Sequence, residues 1–254
     1  MSFATYPSLA GRAVFVSGGA TGIGAEIVRA FARNHARVAF CDLQTDEGEG
    51  LAEELAGNGE KALFLECDVT DIPALQAAIG RVGEAFGPIA ALVNNAANDD
   101  RRAADEINVA YWDQAQNVNL RHHFFAAQAV RPQMRELGFG SIVNLSSIAW
   151  RGGAPDMPAY SAAKAGVVGL THALARAFGA DNIRVNAIEP GAVMTDRQRR
   201  LWYKTTESVE AMIQRQSIKT TLLGDEVARV ALFLAADDSR MITKQSLAVD
   251  AGLR

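Results

Sequence analysis

The sequence predicts an α/β protein: one doubly wound domain whose seven-stranded parallel sheet carries helices on both faces. Short apolar runs rich in Val, Ile and Phe alternate with longer stretches of helical period, the pattern of repeated βα units. No linker, repeat or low-complexity segment interrupts that alternation, so residues 1–254 read as a single domain. Strands are expected at 13–17, 37–41, 62–66, 91–94, 141–145, 183–188 and 246–250. Runs such as Ala13-Val14-Phe15-Val16 are apolar without alternation, as a strand covered on both faces requires. Helices are expected at 23–34, 46–56, 73–86, 112–137, 159–178 and 225–235. The helix at 159–178 is apolar on more than one side, with Ala162, Ala165, Val168, Leu170, Ala173 and Leu174; one side packs on the sheet and another suits a neighbouring subunit. The stretch 193–219 is the least periodic, rich in Arg, Thr and Gln, and reads as a mobile loop with a short helix over a site.

Composition narrows the function classes. The chain is 49% hydrophobic and 21% charged, and 25 Lys and Arg against 29 Asp and Glu leave a formal net charge of −4. A chain of this length can bury a substantial core without disulfide or metal staples. There is no basic excess and no basic cluster of the kind that binds phosphate backbones, which argues against a nucleic-acid partner. No run reaches the roughly 18 apolar residues of a membrane span. Met1-Ser2-Phe3-Ala4-Thr5 lacks a basic segment leading into an apolar one, so a cytoplasmic location is expected. Cys41 and Cys67 each end an apolar run with no Cys-x-x-Cys or Cys/His spacing, and read as small buried residues.

Ser17-Gly18-Gly19-Ala20-Thr21-Gly22-Ile23-Gly24 joins the first strand to the first helix. Glycines there allow a tight turn and close approach of backbone N–H groups to a pyrophosphate lying at the positive end of a helix. The spacing 18, 22, 24 is wider than the usual G-x-G-x-x-G, and glycine turns also occur for steric reasons alone. Eighteen residues after Gly24 the second strand ends at Asp42. A carboxylate at that distance can accept hydrogen bonds from the adenosine ribose and repel a 2′-phosphate, which favours NAD over NADP.

Tyr160 and Lys164 lie one helical turn apart on one face, so the ammonium can approach the phenol and favour its ionised form. Taken alone, such a pair is most simply an exposed aromatic beside a solvated lysine. It does not stand alone. The glycine spacing, Asn94-Asn95-Ala96-Ala97 after the fourth strand, Asn119, Ser147 thirteen residues before Tyr160, and Pro190-Gly191 after the sixth strand together resemble the short-chain dehydrogenase/reductase family over essentially the whole chain. Ser17 stands where that family commonly has Thr, and Ala97 where it has Gly.

The resemblance implies a Rossmann sheet with its ligands at the carboxyl ends of the strands. It implies that Tyr160 is the general acid/base, that Lys164 lowers the phenol's pKa and holds the nicotinamide ribose, that Ser147 orients the substrate oxygen, and that Asn119 supports a proton-relay water. It further implies cofactor contacts from Gly18, Thr21, Gly22, Ile23, Gly24 and Asp42, from Asp68 and Val69 at adenine, from Asn95 at ribose, and from Pro190, Gly191, Val193 and Thr195. Relatives of this kind are commonly tetramers, so a homotetramer is expected.

A narrower group, bacterial dehydrogenases acting at C1 of aldoses such as xylose, arabinose, galactose, fucose or rhamnose, is similar at Tyr6-Pro7-Ser8-Leu9, Asn98-Asp99-Asp100-Arg101, Tyr111-Trp112, Trp150, Arg197-Gln198, Trp202-Tyr203 and Asp250-Ala251-Gly252-Leu253-Arg254. Asn98, Trp150, Asp156, Glu189, Arg197 and Trp202, with Ser147 and Tyr160, are the expected substrate contacts: amides, carboxylates, guanidinium and indole suit a polyhydroxylated ring. His122 and His123 read as packing residues, and no metal is expected. The rival readings are oxidation or reduction of a polyol, a 3-oxoacyl thioester or a hydroxysteroid, or nucleotide binding without catalysis.

Overall fold

A computed structural model describes residues 3–60 and 62–254; Met1 and Ser2 of the N-terminal segment, and Lys61, lie outside the described residues. Seven strands, β1 (Ala13–Ser17), β2 (Arg37–Asp42), β3 (Ala62–Glu66), β4 (Ile89–Asn94), β5 (Gly140–Leu145), β6 (Ile183–Pro190) and β7 (Ser246–Val249), form one sheet in the order β3-β2-β1-β4-β5-β6-β7. Every pairing is parallel. From β1 the chain runs outward to β3, then returns to place β4 on the other side of β1, so the strand order reverses at the β1–β4 seam. A crevice opens beyond the carboxyl ends of the strands at such a reversal.

Alternation along the buried strands sorts their side chains between two cores. On one face Val14, Val16, Val38, Phe40 and Ile188 pack with Ile27, Val28 and Phe31 of α1 (Gly22–Arg33) and with Val227, Ala231 and Leu234 of α10 (Gly224–Ala235). On the other, Phe15, Leu65, Leu92, Ile142 and Val185 meet Leu75 and Ile79 of α3 (Ile72–Phe86), Ala126 and Val130 of α5 (His122–Leu137), and Leu174 and Phe178 of α7 (Pro158–Phe178). The remaining long helix before the midpoint, α2 (Thr45–Gly57), buries Leu51 and Leu55 on the first face. The start of α10 abuts the first turn of α1: a methyl group placed on Gly224 would lie 3.4 Å from the Cα of Ile23 and 3.1 Å from Glu26.

Three departures from the sequence expectation bear on the site. The helix expected at 112–137 begins earlier, as α4 (Val109–Gln116) capped by Asn108, and passes through a π turn at Asn117–Arg121 before α5. The wider turn changes which residues face inward, which a 3.6-residue period cannot reveal. A short helix, α6 (Ala149–Gly152), follows the fifth strand. The segment expected as a loop with one short helix holds two: α8 (Asp196–Leu201), whose first turn is capped by the Thr195 hydroxyl, and α9 (Thr206–Arg215), opened by a reciprocal Thr205–Ser208 capping box. Local capping defines these helices where hydrophobic period does not.

Candidate active site

The crevice beyond β1 and β4 is a cleft of about 970 Å³. Its nucleotide-facing half is framed by the glycine turn. Gly18 has φ +68°, and a Cβ there would come within 2.6 Å of the Ala96 backbone; a Cβ on Gly24 would sit 1.8 Å from the Gly18 carbonyl oxygen. These positions admit nothing larger than hydrogen, and the resulting backbone lies open at the N-terminus of α1. Asn95 braces the turn from β4, donating to the carbonyls of Ser17 (3.2 Å) and Gly18 (2.7 Å), while Ser17 Oγ accepts from the N–H groups of Asn95 and Ala96. At the end of β2, Asp42 Oδ2 accepts from the Ala20 N–H (3.0 Å) and Oδ1 from the Leu43 N–H (2.8 Å), so the carboxylate stands fixed beside the turn.

The chemical half lies where α7 passes over the end of β5. Tyr160 is half-buried on the cleft wall, with Ser147 beside it on the same wall. Lys164, one turn on and 1% exposed, donates from Nζ to the Leu145 carbonyl at 2.8 Å and lies 5.6 Å from the centre of the Tyr160 ring. The electrostatics correct one expectation. Burial, reinforced by the Asp99 carboxylate, pushes the Tyr160 phenol above its ordinary value; the nearby Ser147 hydroxyl works in the other direction. Burial also brings Lys164 down to about 7, so near neutrality the amine is only partly charged. Behind it, His122 and His123 are buried with ring centres 4.2 Å apart, and burial brings His122 down to about 3.

The cleft wall gathers all the expected cofactor residues, Gly18, Thr21, Gly22, Ile23, Gly24, Asp42, Asp68, Val69, Asn95, Tyr160, Lys164, Pro190, Gly191, Val193 and Thr195. It also includes Ser147, Asn98, Asp156 and Arg197. Asn119 lies behind the wall, 1% exposed, and its amide is engaged by Asn98 N–H (2.9 Å) and by the Asn98 and Ala115 carbonyls, so it shapes the turn after β4.

Three expected substrate residues do not reach the wall. Glu189 is fully buried and bound by Arg151 through Nε and Nη2 and by Ser246, a closed charge network that leaves no carboxylate free for a ligand. Trp150 lies under the Arg151 guanidinium, 4.3 Å from its ring centre. Trp202 stands one layer out, its indole N–H donating to Asp99 Oδ2 at 3.2 Å. In their place the wall holds Asp99, Arg101, Gln198 and Tyr203, all in segments whose polarity was visible in sequence without showing which side chains face inward.

Fold and site together define a nucleotide-dependent oxidoreductase of the doubly wound type. The family model described as Enoyl-(Acyl carrier protein) reductase matches residues 18–254. A probable galactose dehydrogenase GalD from Rhizobium meliloti is 47% identical over 98% of this chain and 97% of its own length. A D-xylose 1-dehydrogenase from Caulobacter vibrioides is 42% identical over the whole of both chains. Among solved structures, a putative short-chain alcohol dehydrogenase from Sinorhizobium meliloti superposes with a TM-score of 0.92 at 32% identity, covering 98% of each chain. The chain belongs to the short-chain dehydrogenase/reductase family. Among the described residues no helix is long and apolar enough to cross a membrane, and no cluster of His, Cys, Asp and Glu suits a metal ion.

Proposed function

We propose that the protein is an NAD-dependent aldose 1-dehydrogenase that oxidises a pyranose at its anomeric carbon to the aldonolactone. The observation that carries this reading is the placement of Tyr160 and Ser147 on one cleft wall, where the glycine-framed half of the cleft meets a half walled by amides, carboxylates and guanidinium groups. The two sugar dehydrogenases among its relatives support the same substrate class. The steric limits at Gly18 and Gly24 fit a dinucleotide's pyrophosphate at the α1 N-terminus, and Asp42 fits unphosphorylated ribose, hence NAD. Bound there, the nicotinamide supplies the acceptor for the hydride that leaves C1.

Ser147 holds the C1 hydroxyl against Tyr160, and the phenolate takes its proton as the C1–H bond breaks and the C1=O bond forms. Lys164 holds the ribose and, when protonated, favours the phenolate. Because Tyr160 must lose its proton first and burial holds that proton on, turnover rises toward alkaline pH. The polar mouth disfavours acyl chains and sterols, which need apolar walls. The same reading takes residues 1–254 as one catalytic and nucleotide-binding domain, working as a homotetramer in the cytoplasm.

NADH absorbance with NAD or NADP and a panel of aldoses, polyols and hydroxysteroids tests the proposal: an aldose with NAD is the expected best pair. Tyr160→Phe should lower kcat by roughly 10²–10⁴-fold while leaving NAD affinity near that of the native enzyme. Retained turnover removes Tyr160 from the reaction.

A further inference from the structure

Ser147 stands two residues past β5, on the cleft wall, and its side-chain oxygen accepts the Ala149 N–H at 3.1 Å. That bond fixes the hydroxyl's direction and leaves its proton to donate to a substrate oxygen. The N–H belongs to α6, a helix of four residues closed by Gly153 at φ +62°. A single helical turn has no stability of its own, so its orientation must be set from outside.

The fixture is Glu189, the residue of β6 before Pro190. Arg151 of α6 donates to it from Nε on Oε2 at 2.5 Å and from Nη2 on Oε1 at 2.9 Å. Ser246 of β7 donates to the same carboxylate, which is fully buried, while Arg151 is 35% exposed. Backbone bonds tie down the chain on either side of Ser147: the Ser146 N–H donates to the Ile188 carbonyl at 2.8 Å and the Ile148 N–H to the Pro190 carbonyl at 3.1 Å. Neither bond sets how α6 is turned about its own axis. Among the described residues, Arg151 is the one α6 residue whose side chain hydrogen-bonds outside the helix. A planar guanidinium held at two points fixes direction as well as distance, which a lysine ammonium does not.

We propose that Glu189 and Arg151 are positioning residues for the substrate-orienting hydroxyl: the buried carboxylate holds the guanidinium, the guanidinium sets α6, and α6 presents the N–H that aims Ser147. Neither residue is on the cleft wall, so both act through Ser147 and through residues 152–156, which are. Fold stability alone gives little reason for a carboxylate here, because an apolar pair of similar volume commonly stabilises a buried position as well as an ion pair does.

The inference rests on Ser147 as the hydroxyl that orients the substrate oxygen. Its test compares kcat, KM for the best aldose, KM for NAD and melting temperature in native, Arg151→Met, Arg151→Lys and Glu189→Met/Arg151→Met protein. Arg151→Met should lower kcat roughly 10- to 100-fold with KM for NAD near native, and Arg151→Lys, which keeps the charge without the two-point grip, should regain part of that loss. The double variant no longer buries an unpaired charge; it should melt near the native temperature yet keep the low kcat. Recovery of kcat together with stability overturns the proposal, since the pair then serves the fold alone. So does a native kcat in Arg151→Met, or a KM for NAD that rises in step with the loss. Should the double variant not fold, Arg151→Met is combined with Ser147→Ala: the loss should match that of Ser147→Ala alone, and losses that multiply overturn the proposal. A Ser147→Ala enzyme with native kcat sinks the reading of Ser147 itself; a crippled one beside an Arg151→Met enzyme of native kcat sinks only the positioning.

Discussion

The two halves of the cleft are built from different material. Around the glycine turn the surface is mostly backbone, held by strand ends and by amide and hydroxyl braces from Asn95 and Ser17. Around Asp99 the surface is side chain, carried by α8 of six residues and α9 of ten, whose inward faces hold no fully buried residue. A backbone surface tolerates few changes because every atom is fixed by the sheet. A side-chain surface can be rebuilt residue by residue, which is how one scaffold serves different alcohols.

The largest effect should come from damaging the backbone half. Gly24→Ala places a Cβ 1.8 Å from the Gly18 carbonyl, so the turn must open. The expected loss in kcat/KM for NAD is on the order of 100-fold or more, read from initial rates at fixed sugar. A normal KM for NAD in that variant would break the contrast between the halves.

Between the halves sits Lys164, and its burial leaves a signature in stability. Its folded pKa of about 7 lies below the roughly 10.4 of an unfolded lysine, so between those values the unfolded chain binds the extra proton. The sign is therefore the reverse of a salt-bridged lysine: stability climbs as pH rises from about 7 toward 10, by at most about 1.4 kcal/mol per pH unit, and the penalty is fully present below pH 7. Urea midpoints of the native protein and Lys164→Met, compared from pH 6 to 10, should diverge with that slope. Parallel curves would mean that the amine stays protonated in the fold.

The smallest effect belongs to the side-chain half. Trp202→Phe keeps the ring under Arg101 but removes one donor to Asp99, a hydrogen bond to a charged group worth about 1.5–3 kcal/mol when fully formed and less at this rim. A several-fold rise in KM for the sugar with KM for NAD unchanged is expected. A comparable rise for both substrates would show that the two halves are not independent.

The same contrast governs what could be read from sequence. Strands buried on both faces show as unbroken apolar runs, so β1 and β2 were visible to within a residue. The glycine turn and Asp42 were visible because their chemistry follows from position after a strand, and Tyr160 and Lys164 because a helical turn fixes their relation. The π turn at Asn117–Arg121 was not, since one extra residue in a turn leaves composition untouched. Glu189 and Trp150 were misplaced for a related reason. Nearness in sequence to Pro190 or Ser147 does not say which side of a strand or short helix a side chain takes, and both turned toward Arg151. The convergence of Arg197, Gln198 and Trp202 on Asp99 required knowing that residues about a hundred positions apart meet, and only that donor-rich run hinted that an acceptor was needed.

The abutment of Gly224 against Ile23 and Glu26 has a reach beyond packing. The peptide groups that would grip a pyrophosphate are backed by a helix that contributes nothing to the cleft wall, so large side chains introduced at that contact would press on the anion cradle without altering a single group that faces it.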